Sequence, residues 1–163
     1  MGPHNRSERL LSQTNPMETT SIGLLRIDHV GVAVTDLAEA IQFHERVFGM
    51  RCVHVETNHR QGVQEAMLAV GPTSEGGYLQ LLAPLNAESP LAKFLDRHGP
   101  GVQQVAYTVA DVDTACQTLR ERGVRVLYEQ PEPGTAGSRI NFVHPKDAGG
   151  VLVELVEPAA AAD

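Results

Sequence analysis

The sequence has no tryptophan, two cysteines and only 4% aromatic residues. Cys52 and Cys116 are far apart and form no CxxC pair, so no disulfide framework can be read. They fit reduced, buried thiols of a cytoplasmic protein. The shortage of aromatics disfavours an aromatic-lined sequestering cleft. No apolar run approaches the roughly 20 residues that a membrane-spanning helix needs. Basic residues are also in deficit, 13 Lys and Arg against 20 Asp and Glu, for a net charge of -7. With no Lys/Arg stripe, the chain has no electrostatic footprint for nucleic acid. A small anionic ligand stays open, because local charges decide that.

What is present suits a soluble globular protein, with 42% hydrophobic and 20% charged residues over 163 positions. That length serves one compact domain or two small fused modules. Residues 1–24 are polar, aperiodic and rich in Ser, Thr, Asn and Pro, as in a disordered leader or tag, with Met17 an alternative start. His4 falls there and is set aside. Residues 159–163 are expected to form a loose tail.

The sequence repeats itself. At an offset of 75, Asp28–Val34 falls on Gln103–Val109, Asp36 on Asp111, Ala40 on Ala115 and Gln42 on Gln117. One residue is lost before Gly49 meets Gly123. From there Glu65–Pro84 runs ungapped against Arg139–Pro158 at an offset of 74. The first module spans 25–84, a linker with a short helix near Ser89–His98 spans 85–101, and the second module spans 102–158.

Each module reads as βαβββ. An alternating strand (Ile27–Val34; Gln104–Val109) leads to an Asp N-cap, an amphipathic helix and a glycine at the helix end. Three strands follow, near Arg51–Glu56, Glu65–Val70 and Tyr78–Ala83, then near Arg125–Glu129, Arg139–His144 and Val151–Val156. Such a module leaves one sheet face bare, so the two must share a sheet or curl around a common cavity. The expected fold class is α+β, with two concave four-stranded sheets enclosing a curved mixed cavity.

Polar residues interrupt the apolar strands in repeat-related pairs: His29 with Gln104, and Gln80 with Glu154. A buried polar side chain without a partner costs about 1–3 kcal/mol. Four at equivalent positions converge most economically on one shared ligand, and a divalent cation suits imidazole, amide oxygen and carboxylate alike. An outward-facing placement would instead make each unremarkable. Glu65, at the head of a strand, is either a general base in the same cavity or an exposed edge glutamate. Its repeat mate by the ungapped offset is Arg139, an anion contact or a surface arginine. His144 and Lys146 in a turn reach a phosphate-bearing ligand or are simply solvated. His44, His54, His59 and His98 read as helix or loop residues without partners.

The duplicated plan resembles the vicinal oxygen chelate superfamily, which includes glyoxalase I and ring-cleaving dioxygenases. Within it, Ile27–Ala33, Gln61–Leu68, Ser138–Asp147 and Gly150–Val156 resemble the methylmalonyl-CoA epimerase family, over roughly Leu25 to Pro158. That resemblance implies metal ligands at His29, Gln80, Gln104 and Glu154, and a catalytic base at Glu65. Gln103-Gln104 stands where the best-known members carry His-His. The implied cofactor is a divalent metal ion: Co2+, Mg2+, Mn2+ or Zn2+. The implied reaction is metal-dependent epimerisation of an acyl-CoA, methylmalonyl-CoA (2R/2S), by α-proton abstraction and reprotonation through an enolate. The second acid is Glu154 or a water. A homodimer is expected by analogy. The alternatives are another enzyme on this fold, of glyoxalase or lyase type, and a non-enzymatic small-molecule-binding module.

Overall fold

In the computed structural model, residues 21–161 are described; the predicted leader through residue 20 and the last two residues lie outside them. The alternating segment Leu24–Ala33 becomes β1, with Asp28, His29, Gly31 and Ala33 buried. Asp36 then caps α1 (Leu37–Phe48) by accepting a hydrogen bond from the Glu39 N–H at 2.9 Å. The helix ends on Gly49, whose φ of 65° is the left-handed conformation that glycine adopts without strain. β2 (Arg51–Asn58), β3 (Val63–Ala69) and β4 (Tyr78–Pro84) complete the first module. α2 (Pro90–His98), capped by Ser89, bridges to the second. There β5 (Gly101–Val109), α3 (Val112–Glu121), β6 (Glu132–Pro133), β7 (Arg139–Val143) and β8 (Leu152–Glu157) repeat the order.

The strands form one mixed eight-stranded sheet, ordered β2-β3-β4-β1-β5-β8-β7-β6, so the two four-stranded modules share a sheet. β1 runs parallel to β4, and β5 parallel to β8, while β1 and β5 pair antiparallel at the centre. The two modules are thus joined edge to edge about a pseudo-two-fold between β1 and β5. Helices cover one face: Leu37 packs with Ala66, Leu68, Leu81 and Ala83, and Val112, Ala115 and Cys116 pack with Val143 and Leu155. The other face curls inward until its two outer edges meet. Ala136, in a 3₁₀ turn (Thr135–Gly137), donates its N–H to Glu56 of β2 at 3.2 Å, and Arg60 pairs with Glu132 at 3.6 Å.

Two expectations are corrected. The predicted strand Arg125–Glu129 survives only as an isolated bridge, Val126 to Val143. Asn141 takes over part of the ladder: its side chain accepts from Tyr128 N–H at 3.1 Å and donates to the Tyr128 carbonyl at 3.0 Å. Pairing resumes at β6, which stays two residues long at a sheet edge where Pro133 needs no amide proton.

The second correction concerns register. Met67 lies across from Gln80 and Glu65 from Leu82, whereas Phe142 lies across from Glu154 and Ile140 from Val156. Since Gln80 and Glu154 are repeat mates, β3 and β7 correspond at an offset of 75, not 74. The mate of Glu65 is therefore Ile140, and Arg139 matches Gln64; both of the latter are exposed. A one-residue slip reverses the face of every side chain in a strand, so sequence alignment alone cannot absorb it.

Candidate active site

Period-two alternation places His29, Gln80, Gln104 and Glu154 on the inner face of the four central strands, each 5% exposed or less. Their polar ends converge. Gln104 Nε2 donates to Glu154 Oε2 at 2.6 Å and to Gln80 Oε1 at 3.1 Å, and lies 3.5 Å from His29 Nε2. His29 Nε2 is 3.1 Å from the same Glu154 oxygen. The inward reading of all four is the one realised. The fit depends on Gly31, which lies opposite Gln104 across the β1–β5 pair: a Cβ there would come within 2.5 Å of Gln104 Cγ.

A supporting row stands behind the imidazole. His29 Nδ1 is 2.8 Å from Asp28 Oδ1, and the Thr108 hydroxyl donates to Asp28 Oδ2 at 2.7 Å. Burial works against a charged imidazole, but the hydrogen bonds and charges of Asp28 and Glu154 outweigh it and raise its pKa to about 9. The Asp28 carboxyl is held below its usual range; burial opposes this, and the contacts with His29 and Thr108 prevail.

Glu65 joins this centre through Gln80, whose Nε2 donates to Glu65 Oε2 at 3.1 Å. The Thr135 hydroxyl donates to Glu65 Oε1 at 2.6 Å and accepts from Gln80 Nε2 at 3.2 Å. At 2% exposure Glu65 is a core carboxyl, not an edge glutamate. Burial chiefly drives its pKa up to about 7; Thr135 opposes, while Glu56 and the charge of Glu154 add to the rise.

The sequence reading missed His54, Glu56 and Thr135. A β-bulge between Cys52 and His54 shifts the β2–β3 register, so that His54 faces Met67 and Glu56 faces Glu65. His54 Nε2 bonds the Glu56 carboxylate, so His54 is a partnered strand residue. Ala136 carries a φ of 53°, unusual for a residue with a Cβ, in the turn that brings Thr135 to Glu65 and the Ala136 N–H to Glu56. A bulge leaves no mark in hydrophobic periodicity, so the sequence held no signal for these contacts.

A cavity of about 240 Å³ opens onto the centre, walled by Arg26, His29, His54, Tyr78, Thr135 and Glu154 among others. A second, of about 260 Å³, reaches it from the other end past Gln61, Gln103, Gln104, Tyr128 and Leu152. Arg139 is exposed and already paired with Asp113 at 2.7 Å and Glu157 at 3.4 Å, which removes it from the anion-binding candidates. His144 caps its own turn by accepting from Lys146 N–H at 3.1 Å, and neither residue lines these cavities.

The donor set can be tested against a divalent cation. Among the described residues no three His, Cys, Asp or Glu side chains gather as a metal-binding group. This centre instead combines one imidazole, one carboxylate and two amides. Turning the Gln104 amide over would exchange its Nε2 for Oε1 and give three oxygen donors and one nitrogen. That composition, with a single formal negative charge, fits a hard or borderline cation such as Mg2+, Mn2+ or Co2+.

Residues 28–142 match the family model of the Glyoxalase/Bleomycin resistance protein/Dioxygenase superfamily. The crystal structure of methylmalonyl-CoA epimerase from Mycobacterium tuberculosis is 53% identical, with a TM-score of 0.82 over 89% of this chain and 95% of that one. The chain belongs to the methylmalonyl-CoA epimerase family. A variant of Streptomyces coelicolor methylmalonyl-CoA epimerase in complex with 2-nitronate-propionyl-CoA is 48% identical, with a TM-score of 0.81 over 85% and 100% of the two chains. The ethylmalonyl-CoA/methylmalonyl-CoA epimerase of Cereibacter sphaeroides is 34% identical over 80% of this chain and 96% of its own length. Methylmalonyl-CoA epimerases are isomerases, and their superfamily typically uses divalent metals. Among the described residues no helix is long and apolar enough to cross a membrane.

Proposed function

We propose that this chain interconverts the 2R and 2S forms of methylmalonyl-CoA by removing and returning the proton at C2. The observation that carries the mechanism is a buried carboxylate, Glu65, hydrogen-bonded to Gln80 and adjoining a four-residue ligand set. The C2 proton lies between a thioester and a carboxylate and is weakly acidic. A general base works best when its pKa is near the operating pH, and burial brings Glu65 to about 7.

His29, Gln80, Gln104 and Glu154 are the residues that would hold a divalent cation, and such an ion supplies Lewis-acid stabilisation of negative charge developing on a substrate oxygen. Gln80 belongs to the ligand set and also donates to Glu65, so a substrate seated at the centre presents C2 close to the base. Thr135 holds the Glu65 carboxylate in place. Glu154 comes from the opposite half of the sheet and lines the cavity, which suits it, or a water it binds, to return a proton on the other face. Asp28, anchored by Thr108, fixes the imidazole so that Nε2 faces the centre. The free thiols of Cys52 and Cys116 support a cytoplasmic location, and the family likeness supports a homodimer.

The test is α-proton exchange of methylmalonyl-CoA in D2O followed by NMR, for the wild type and Glu65→Gln, with and without added Co2+ or Mg2+. Metal-stimulated exchange that disappears in the variant supports both the reaction and the base. No exchange with any metal removes the epimerase reading and favours a small-molecule-binding module.

A further inference from the structure

A base must also lose the proton it takes, and the fold gives Glu65 one neighbour able to receive it. Its carboxylate meets the Thr135 hydroxyl and the Gln80 amide, and Glu56 stands directly across from it on β2. An amide N–H only donates, and the Thr135 oxygen already faces that amide at 3.2 Å. Among the described residues, Glu56 is thus the proton acceptor directly across the β2–β3 pair from Glu65. From there the row leads outward. Glu56 bonds His54 Nε2, and the His54 and Glu56 side chains are 38% and 29% exposed, against 2% for the whole of Glu65. His54 also lines the cavity. The β2 bulge turns both residues inward, while Val55 between them stays exposed.

Resting on the epimerase reading, we infer that Glu56 carries the substrate-derived proton from Glu65 to water and that His54 is the positioning residue that holds it. The C2–H bond breaks and its proton goes to a Glu65 oxygen. That O–H then breaks as Glu56 takes the proton on the oxygen that His54 Nε2 does not engage, and the part-exposed Glu56 carboxyl releases it to water. Glu65 is left anionic, the Glu56 carboxylate is regenerated, and no other reactant is consumed.

The experiment starts from one configuration of methylmalonyl-CoA in D2O with the metal-loaded enzyme. At low conversion it measures deuterium in recovered substrate relative to epimer formed. Label in recovered substrate reports how often Glu65 exchanges its proton before giving it back. Glu56→Gln is expected to lower this ratio about tenfold, within the range that positioned proton-transfer groups contribute. Glu56→Asp is expected to restore most of it. His54→Gln is expected to lower it less, about threefold, since Glu56 itself touches water. A residue that merely shaped the site would lower exchange and epimerisation together and leave the ratio unmoved. An unchanged ratio in folded Glu56→Gln overturns the relay. Should that variant not fold, an unchanged ratio in His54→Gln overturns it instead. A wild type that exchanges no α-proton removes the epimerase reading itself, a result distinct from either.

Discussion

The two halves of the sheet share a backbone plan and part company in chemistry. At the centre they are nearly equivalent: β1 and β4 contribute His29 and Gln80, and β5 and β8 contribute Gln104 and Glu154. Away from it they diverge. The first half places Glu65 on β3, and a full eight-residue β2 brings His54 and Glu56 beside it. The second half has Ile140 at the position of Glu65, packed with Ala106, Phe142 and Val156. Its counterpart of β2 dwindles to a bridge and a two-residue strand. Duplication accounts for a convergent polar centre, because a pseudo-two-fold brings equivalent side chains together at its axis. The proposed removal of a proton by Glu65 needs the symmetry to be broken, and β2, β3 and their partners do so.

This contrast can be tested hardest at the base. Glu65→Gln is expected to lower kcat by about 10³-fold, within the range of a lost general base, with an apolar Ile140 and not a second carboxyl at the equivalent position. Steady-state epimerisation with metal saturating measures this, and a loss below tenfold would dissolve the distinction between the halves.

The next effect lies at the seam. Gly31→Ala drives a Cβ into Gln104 and is expected to weaken Co2+ binding about 10–100-fold, the usual cost of disturbing the groups around a metal ligand. Ala106→Gly, at the equivalent position opposite His29, removes a Cβ rather than adding one and should leave affinity far closer to wild type. Isothermal titration of both variants reads the comparison directly.

A pH profile sharpens it further. Glu65 accepts a proton only when ionised, and its pKa is raised to about 7, so kcat/KM should rise with pH through that value. Below it, activity falls about tenfold per pH unit. A profile flat between pH 5 and 8 would move the base elsewhere.

The smallest effect is predicted for Arg139→Ala. This exposed cation is engaged with Asp113 and Glu157, away from both cavities, so the KM for the acyl-CoA should not change. A raised KM in steady-state assays would restore Arg139 as a substrate contact.

The sequence by itself determined a great deal here. Period-two alternation, Asp N-caps and helix-end glycines repeat at offsets of 75 and then 74, so the duplicated βαβββ plan and the paired polar positions 29, 80, 104 and 154 were legible as local pattern, though not the face on which they lie. Glu65 was visible as a candidate, although the pattern allowed an exposed edge residue equally well. Register was decided only by tertiary structure. The offset of β3 against β7 differs by one residue from that of β4 against β8, and only hydrogen-bonded pairing could show that Glu65 corresponds to Ile140 and not Arg139. The same holds for His54, Glu56 and Thr135. A bulge in β2 and a left-handed residue in a distant turn bring them to Glu65 across separations of up to 70 positions, where no local periodicity reaches.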